Sequence, residues 1–243
     1  MFNKVANKLR KIDYWLYCLK YSRKTEILVL GDSHVSVFKR RYLRGWFPDF
    51  FFNVISVGGA TISGIENPNS RTKAMPIFEK ALAQTKSKTV ILCLGEVDTG
   101  FVIWLKAQRD LVSVNEALNE TVEKYEKFIS RLMENFNVIC ISTPLPTIQD
   151  GVAFGDVADA RKEVKATLKE RTELTLDFNK KIKNYCERKN ITNLFLDYEF
   201  LDNEKGVVNN RFLHADPRDH HFDDYEYSEV LKVHLQSSLL KKS

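Results

Sequence analysis

Residues 26 to 34 read Glu26-Ile27-Leu28-Val29-Leu30-Gly31-Asp32-Ser33-His34, an apolar run that stops at a Gly-Asp-Ser-His turn. An apolar run without polar alternation suits a strand buried on both faces of a parallel sheet. Four more runs of this kind follow, at Phe50 to Val57, Thr89 to Leu94, Val138 to Ser142 and Asn193 to Asp197. Helical stretches separate them, over Lys73 to Thr85, Val114 to Asn135, Asp159 to Lys189 and Tyr225 to Leu240. This alternation predicts a three-layer α/β/α sandwich of flavodoxin-like type with a mainly parallel five-stranded sheet. In such a sheet ligands bind at the carboxyl ends of the strands, so the site is expected where the runs stop.

The chain has 243 residues, within the range of one α/β domain of up to about 250. Its 44% hydrophobic content and 12% aromatics exclude a disordered or low-complexity chain. The four cysteines, Cys18, Cys93, Cys140 and Cys186, have neither the spacing of a CxxC redox motif nor that of a zinc site. Reduced thiols in a soluble, unsecreted, cytoplasmic protein are the expectation. The formal charge of +5 is unevenly placed: residues 1 to 24 carry seven cations against Asp13, leaving the body at −1. A basic tail on a near-neutral body argues against nucleic acid as a partner.

That tail, residues 1 to 24, reads as a unit distinct from the domain over 25 to 243. Phe2, Val5, Leu9, Ile12, Leu16 and Leu19 recur at helical spacing and form one apolar stripe, with cations and Tyr14, Trp15, Tyr17 and Tyr21 beside it. Such a stripe packs on the protein's own body or on a second subunit, the commoner use, or lies on an anionic membrane surface.

Three rim loops are small and polar: Gly31-Asp32-Ser33-His34, Gly58-Gly59-Ala60-Thr61 and Gly95-Glu96-Val97-Asp98. A serine at the end of a buried strand can meet a substrate and a base, or serve as a helix N-cap. Glycines let backbone N–H groups approach an oxyanion, or simply make turns. Just before the last helix, Asp216-Pro217-Arg218-Asp219-His220-His221 gathers imidazoles and carboxylates. An imidazole held by a carboxylate can take and return a proton. A metal site and a solvated helix entry are the alternatives, and no recognised metal-ligand spacing accompanies the cluster. Asp98, directly after a buried strand, is expected to accept hydrogen bonds from neighbouring rim loops.

Together and in this order, the GDS, Gly-loop, GxND-like and late His blocks resemble the SGNH (GDSL-like) hydrolase superfamily, over roughly Glu26 to Leu240. The resemblance implies Ser33 as nucleophile, with the backbone N–H groups of Ser33 and Gly59 as oxyanion donors. It implies His221 as base by the spacing to Tyr227, with His220 as competitor and Asp219 or Asp216 as the supporting carboxylate. Val97 stands where the family has an asparagine. The GEVD block (Gly95, Glu96, Asp98), Pro144-Leu145-Pro146-Thr147 and Arg171 to Leu176 look like a branch linked to bacterial surface-polysaccharide synthesis. The implied activity is a serine esterase or acetyltransferase acting on an acetylated sugar or glycan, without metal or cofactor. A fold that lost its chemistry and kept glycan binding is the alternative. Arg171 is either an ion-paired helix residue or a clamp on a substrate anion. Trp104 either packs in the core or stacks on a sugar.

Overall fold

The computed structural model describes residues 2–19, 24–151 and 164–240. The five apolar runs are strands: β1 (Thr25–Gly31), β2 (Phe50–Ser56), β3 (Thr89–Cys93), β4 (Asn137–Ile141) and β5 (Thr192–Leu194). All pair in parallel, in the order β2-β1-β3-β4-β5, with Leu28 opposite Val90 and Val29 opposite Val54.

Alternation along β1 builds two cores. Leu28 and Leu30 face one side, with Val90, Leu92, Val138 and Cys140 of the neighbouring strands. Helices α3 (Ala74–Gln84), α5 (Val114–Met133) and α6 (Leu168–Arg188) cover that side. Ile27 and Val29 face the other side, together with Ile91, Ile139 and Ile141. A 3₁₀ turn (Ser33–Lys39), α2 (Arg41–Arg44) and the C-terminal α8 (Asp224–Leu240) pack there. A π-helical turn (Asp98–Val102) leads into α4 (Ile103–Asp110), and α7 (Asp197–Phe200) opens a small β6–β7 hairpin (Leu201–Asp202, Val207–Val208). Each fully buried Leu or Ile contributes about 1.5–3 kcal/mol, and burial on both sheet faces is why the strands lack polar alternation.

Helix α6 starts later than its apolar periodicity suggests. Thr167 Oγ1 accepts from the Glu170 N–H while the Glu170 carboxylate accepts from the Thr167 N–H, a capping box that sets the first turn. The part of the expected helix over 159 to 163, Arg161 included, lies outside the described residues.

Helix α1 (Phe2–Leu19) docks in an unexpected orientation. It lies against β2, an edge strand, through tyrosine hydroxyls. Tyr14 Oη donates to the Phe52 carbonyl (2.8 Å) and accepts from the Val54 N–H (2.9 Å). Tyr17 Oη accepts from the Phe52 N–H (3.2 Å) and donates to the Phe50 carbonyl (3.3 Å). Arg44 pairs with Asp13 and lies over the Tyr17 ring at 4.4 Å. Unpaired edge groups invite pairing with other chains, and these hydroxyls occupy four of them. Packing of the apolar stripe on the protein's own body is therefore corrected: Leu9, Ile12, Leu16 and Leu19 are 45–62% exposed, because the tyrosine face has taken the contact. The Phe2 and Val5 side chains lie outside those described. Among the described residues, no helix is long and apolar enough to cross a membrane.

Candidate active site

The strand ends place the GDSH turn and the Gly58–Gly59 loop side by side. Gly31 is fixed there by space alone: a Cβ would fall 2.3 Å from the Cys93 carbonyl oxygen and 2.4 Å from Val35 Cγ1. Asp32 caps the 3₁₀ turn that Ser33 begins, its Oδ1 accepting from the His34 N–H at 2.9 Å and lying 3.2 Å from His34 Nδ1. Ser33 and Gly59 line one cleft of about 840 Å³ with Val97, His220 and His221. Gly59 sits at φ +72°, a conformation that glycine adopts without strain. Among the described residues, neither the Ser33 nor the Gly59 N–H makes a backbone hydrogen bond.

The late histidines arrive on a loop closed at its base. An antiparallel bridge joins Leu213 to Phe222, and the Asp223 N–H donates to the Phe212 carbonyl at 2.9 Å. Thr147, at the end of the Pro144-Leu145-Pro146-Thr147 segment, donates from Oγ1 to the His220 carbonyl at 2.7 Å. Within the loop, Asp219 Oδ1 accepts from the His221 N–H (3.0 Å) and lies 2.6 Å from His221 Nδ1. Burial alone would raise the Asp219 pKa; hydrogen bonds from the His221 ring and backbone outweigh it and hold the carboxyl below the usual range. His221 Nε2 is buried with no hydrogen-bond partner among the described residues. A carboxylate on Nδ1 and an unclaimed Nε2 are what a general base requires. Of the two carboxylates the sequence offered, Asp219 is the one that contacts His221. Asp216 instead forms a bidentate pair with Arg218, which lowers its pKa to about 2.

Sequence reasoning missed His34. Its ring centroid lies 4.7 Å from that of His221 and 5.8 Å from that of His220, and the His220 and His221 centroids are 4.2 Å apart. The signal was a repeated Asp-x-His triplet: Asp32-Ser33-His34 and Asp219-His220-His221 make the same local turn, with Ser33 and His220 in the middle positions. Ser33 Oγ makes no hydrogen bond to an imidazole among the described residues; unliganded catalytic pairs are often long. Asp219, His220 and His221 each place a ligand atom within 4.8 Å of the others, so they are the candidates for holding a metal ion. His221 Nδ1 and Asp219 Oδ1 are already hydrogen-bonded to each other.

The remaining sequence candidates lie outside the cleft lining. Asp98 is fully buried; its Oδ2 accepts from the Ile62 N–H (2.8 Å) and its Oδ1 from the Ser63 N–H (3.1 Å). Burial pushes its pKa up to about 6 despite these bonds. Gly95, at φ +124°, is packed so tightly that a Cβ would meet Thr143 Oγ1 at 2.6 Å. Glu96 is buried. Trp104 does not stack into the cleft: its Nε1 donates to the Thr99 carbonyl at 2.8 Å and its ring packs on the core. Arg171 is no substrate clamp: it is buried, donating from Nη2 to the Ile148 carbonyl (2.7 Å) and to Asp150 (3.3 Å), and so ties α6 to the segment after β4. Val97 does line the cleft and places an apolar side chain there.

No family model matches the chain, and no curated protein matches it in sequence. Solved structures do. An acetyl xylan esterase superposes with a TM-score of 0.56 at 14% identity, covering 88% of this chain and 99% of the other. A GDSL-like lipase from Bacteroides thetaiotaomicron gives 0.54 at 14% identity, covering 95% and 98%. A member of the lipolytic G-D-S-L family from Veillonella parvula gives 0.53 at 15% identity, covering 90% and 100%. The fold is that of the SGNH (GDSL-like) hydrolases.

Proposed function

We propose that this protein is a serine-dependent ester hydrolase or O-acyltransferase acting on an acetylated sugar or glycan. One observation carries the reading: Ser33, Gly59 and an imidazole held by a carboxylate at 2.6 Å, with its other nitrogen unclaimed, line one cleft. In this mechanism His221 Nε2 takes the Ser33 hydroxyl proton as Oγ attacks the acyl carbonyl, and the oxyanion sits on the Ser33 and Gly59 N–H groups. Collapse breaks the C–O bond to the sugar, whose oxygen takes the proton from His221. Water then hydrolyses the acyl-serine, or a second sugar hydroxyl collects the acyl group. No step needs a metal or cofactor.

The lining supports the substrate class. Thr61, Ser63, Asn67, Asn69, Ser70 and Thr72 offer hydroxyls and amides to sugar hydroxyls, and Arg71 and Lys124 add cations to the rim, where Lys106 and Arg109 are already paired with Asp110 and Glu120. That an acetyl xylan esterase shares the fold agrees with an acetylated polysaccharide. The reading includes a role in surface-polysaccharide synthesis and a cytoplasmic location, where four free cysteines remain reduced. Val97 favours a second reading, a glycan-binding protein without turnover, because it removes the usual side-chain oxyanion donor. A fluorophosphonate probe decides between them: covalent labelling that Ser33→Ala abolishes supports the enzyme. An unlabelled, folded wild type that still binds acetylated glycan supports the second reading.

A further inference from the structure

Helix α1 turns its tyrosine face to the body, so its apolar side points outward. Leu9, Ile12, Trp15, Leu16 and Leu19 are all 45–62% exposed, far more contiguous apolar surface than scattered side chains would give. We propose that α1 is an interfacial helix that seats the protein on an anionic lipid bilayer, with these five side chains among the headgroups.

Charge selects the occupant. A groove of about 1050 Å³ beside the apolar face is bordered by Arg10, Lys11, Lys39, Arg40 and Arg41. Its two acids are already neutralised, Asp13 by Arg44 and Asp224 by Arg40 at 2.8 Å. Among the described residues, Lys8, Arg10, Lys11 and Arg41 make no ion pair. Burial and the neighbouring Arg40 hold the Lys39 ammonium below its ordinary pKa, as expected where cations lack counter-charge. Anionic headgroups supply that charge, and Trp15 belongs at the headgroup level by its amphipathic ring. A second copy fits worse, since a two-fold interface through this face would bring the same cation-bordered patch from both subunits together. Eighteen residues with interspersed cations lie on a bilayer rather than cross it. The inference does not depend on the ester chemistry of the cleft.

Flotation of the full-length protein with vesicles tests it, comparing phosphatidylcholine alone with phosphatidylcholine containing about one-quarter phosphatidylglycerol. Binding should favour the anionic vesicles by at least about tenfold and fall when salt is raised to about 0.5 M. The double variant Ile12→Glu, Leu16→Glu should return binding to the neutral-vesicle level. Lys8→Glu with Lys11→Glu should weaken it by more than about twentyfold, at about fivefold per lysine lost. Neither variant should lower the melting temperature, because all four side chains are exposed. Equal affinity for the two vesicle types, no binding, or undiminished binding by the Ile12→Glu, Leu16→Glu protein would overturn the proposal. So would a dimer in sedimentation analysis that this variant abolishes, which would assign the face to a second copy.

Discussion

Replacing Asp98 with asparagine separates a structural carboxylate from a catalytic one. Asp98 accepts one backbone N–H on each oxygen, from Ile62 and Ser63. Asparagine keeps one acceptor and turns its amide nitrogen toward the other N–H, leaving two donors face to face, each costing about 1–3 kcal/mol when buried. The cost should depend on pH. Burial raises the folded pKa to about 6 from 3.8, so the folded state binds the proton more tightly than the unfolded chain. The native form therefore loses stability as pH rises from about 4 to about 6, by roughly 2 to 3 kcal/mol at about 1.4 kcal/mol per unit. The asparagine variant lacks that loss. Asp98→Asn should thus be most destabilising near pH 4, by about 2–6 kcal/mol, and least near pH 7, where about 2 to 3 kcal/mol of the difference disappears. Urea denaturation followed by circular dichroism between these limits measures it, with turnover normalised to folded protein. A pH-independent cost would refute the reasoning, as would full stability with lost turnover.

Asp219→Asn should lower kcat by at least about a hundredfold with little change in melting temperature, since the carboxylate orients His221 from a partly exposed loop; a rate within twofold of wild type would remove Asp219 from the mechanism. Gly31→Ala should give insoluble or unfolded protein, because its Cβ would overlap the Cys93 carbonyl and Val35; a soluble product with a native melting curve would contradict that packing. Tyr14→Phe with Tyr17→Phe should cost about 2–4 kcal/mol and promote aggregation by uncovering the β2 edge groups. Light scattering and thermal melts report both effects, and an unchanged melt would mean that water replaces the hydroxyls freely.

The strands were legible to within two residues at most ends because burial on both faces leaves a mark in successive residues, from Ile27 to Gly31 in β1 and from Val90 to Cys93 in β3. The start of α6 was legible too, in the Thr167-x-x-Glu170 signature, although the helical reading from Asp159 ran past it. The orientation of α1 was not. Periodicity shows which side of a helix is apolar, but which side finds a neighbour depends on β2 being the sheet's edge, a property of strand order. Arg171 and Trp104 were left with two readings each for a similar reason: their partners, the Ile148 and Thr99 carbonyls, become neighbours only through backbone geometry that residue types do not announce. His221 and Asp219 were within reach because their turn is local, whereas the approach of His34 needed both strand ends to meet.

The bridge between Leu213 and Phe222 makes the histidine loop a closed cassette, and the Thr147 hydroxyl fastens it to the segment after β4. The Asp219–His221 pairing lies wholly inside that cassette, while Ser33 belongs to a different strand end. Phe222 anchors the base of the cassette in the core, and the Thr147 hydroxyl holds its tip, so residue 147 becomes a dial on the spacing between Ser33 and the imidazoles. Removing its hydroxyl would shift both imidazoles relative to Ser33 and leave the Asp219–His221 pairing itself unchanged.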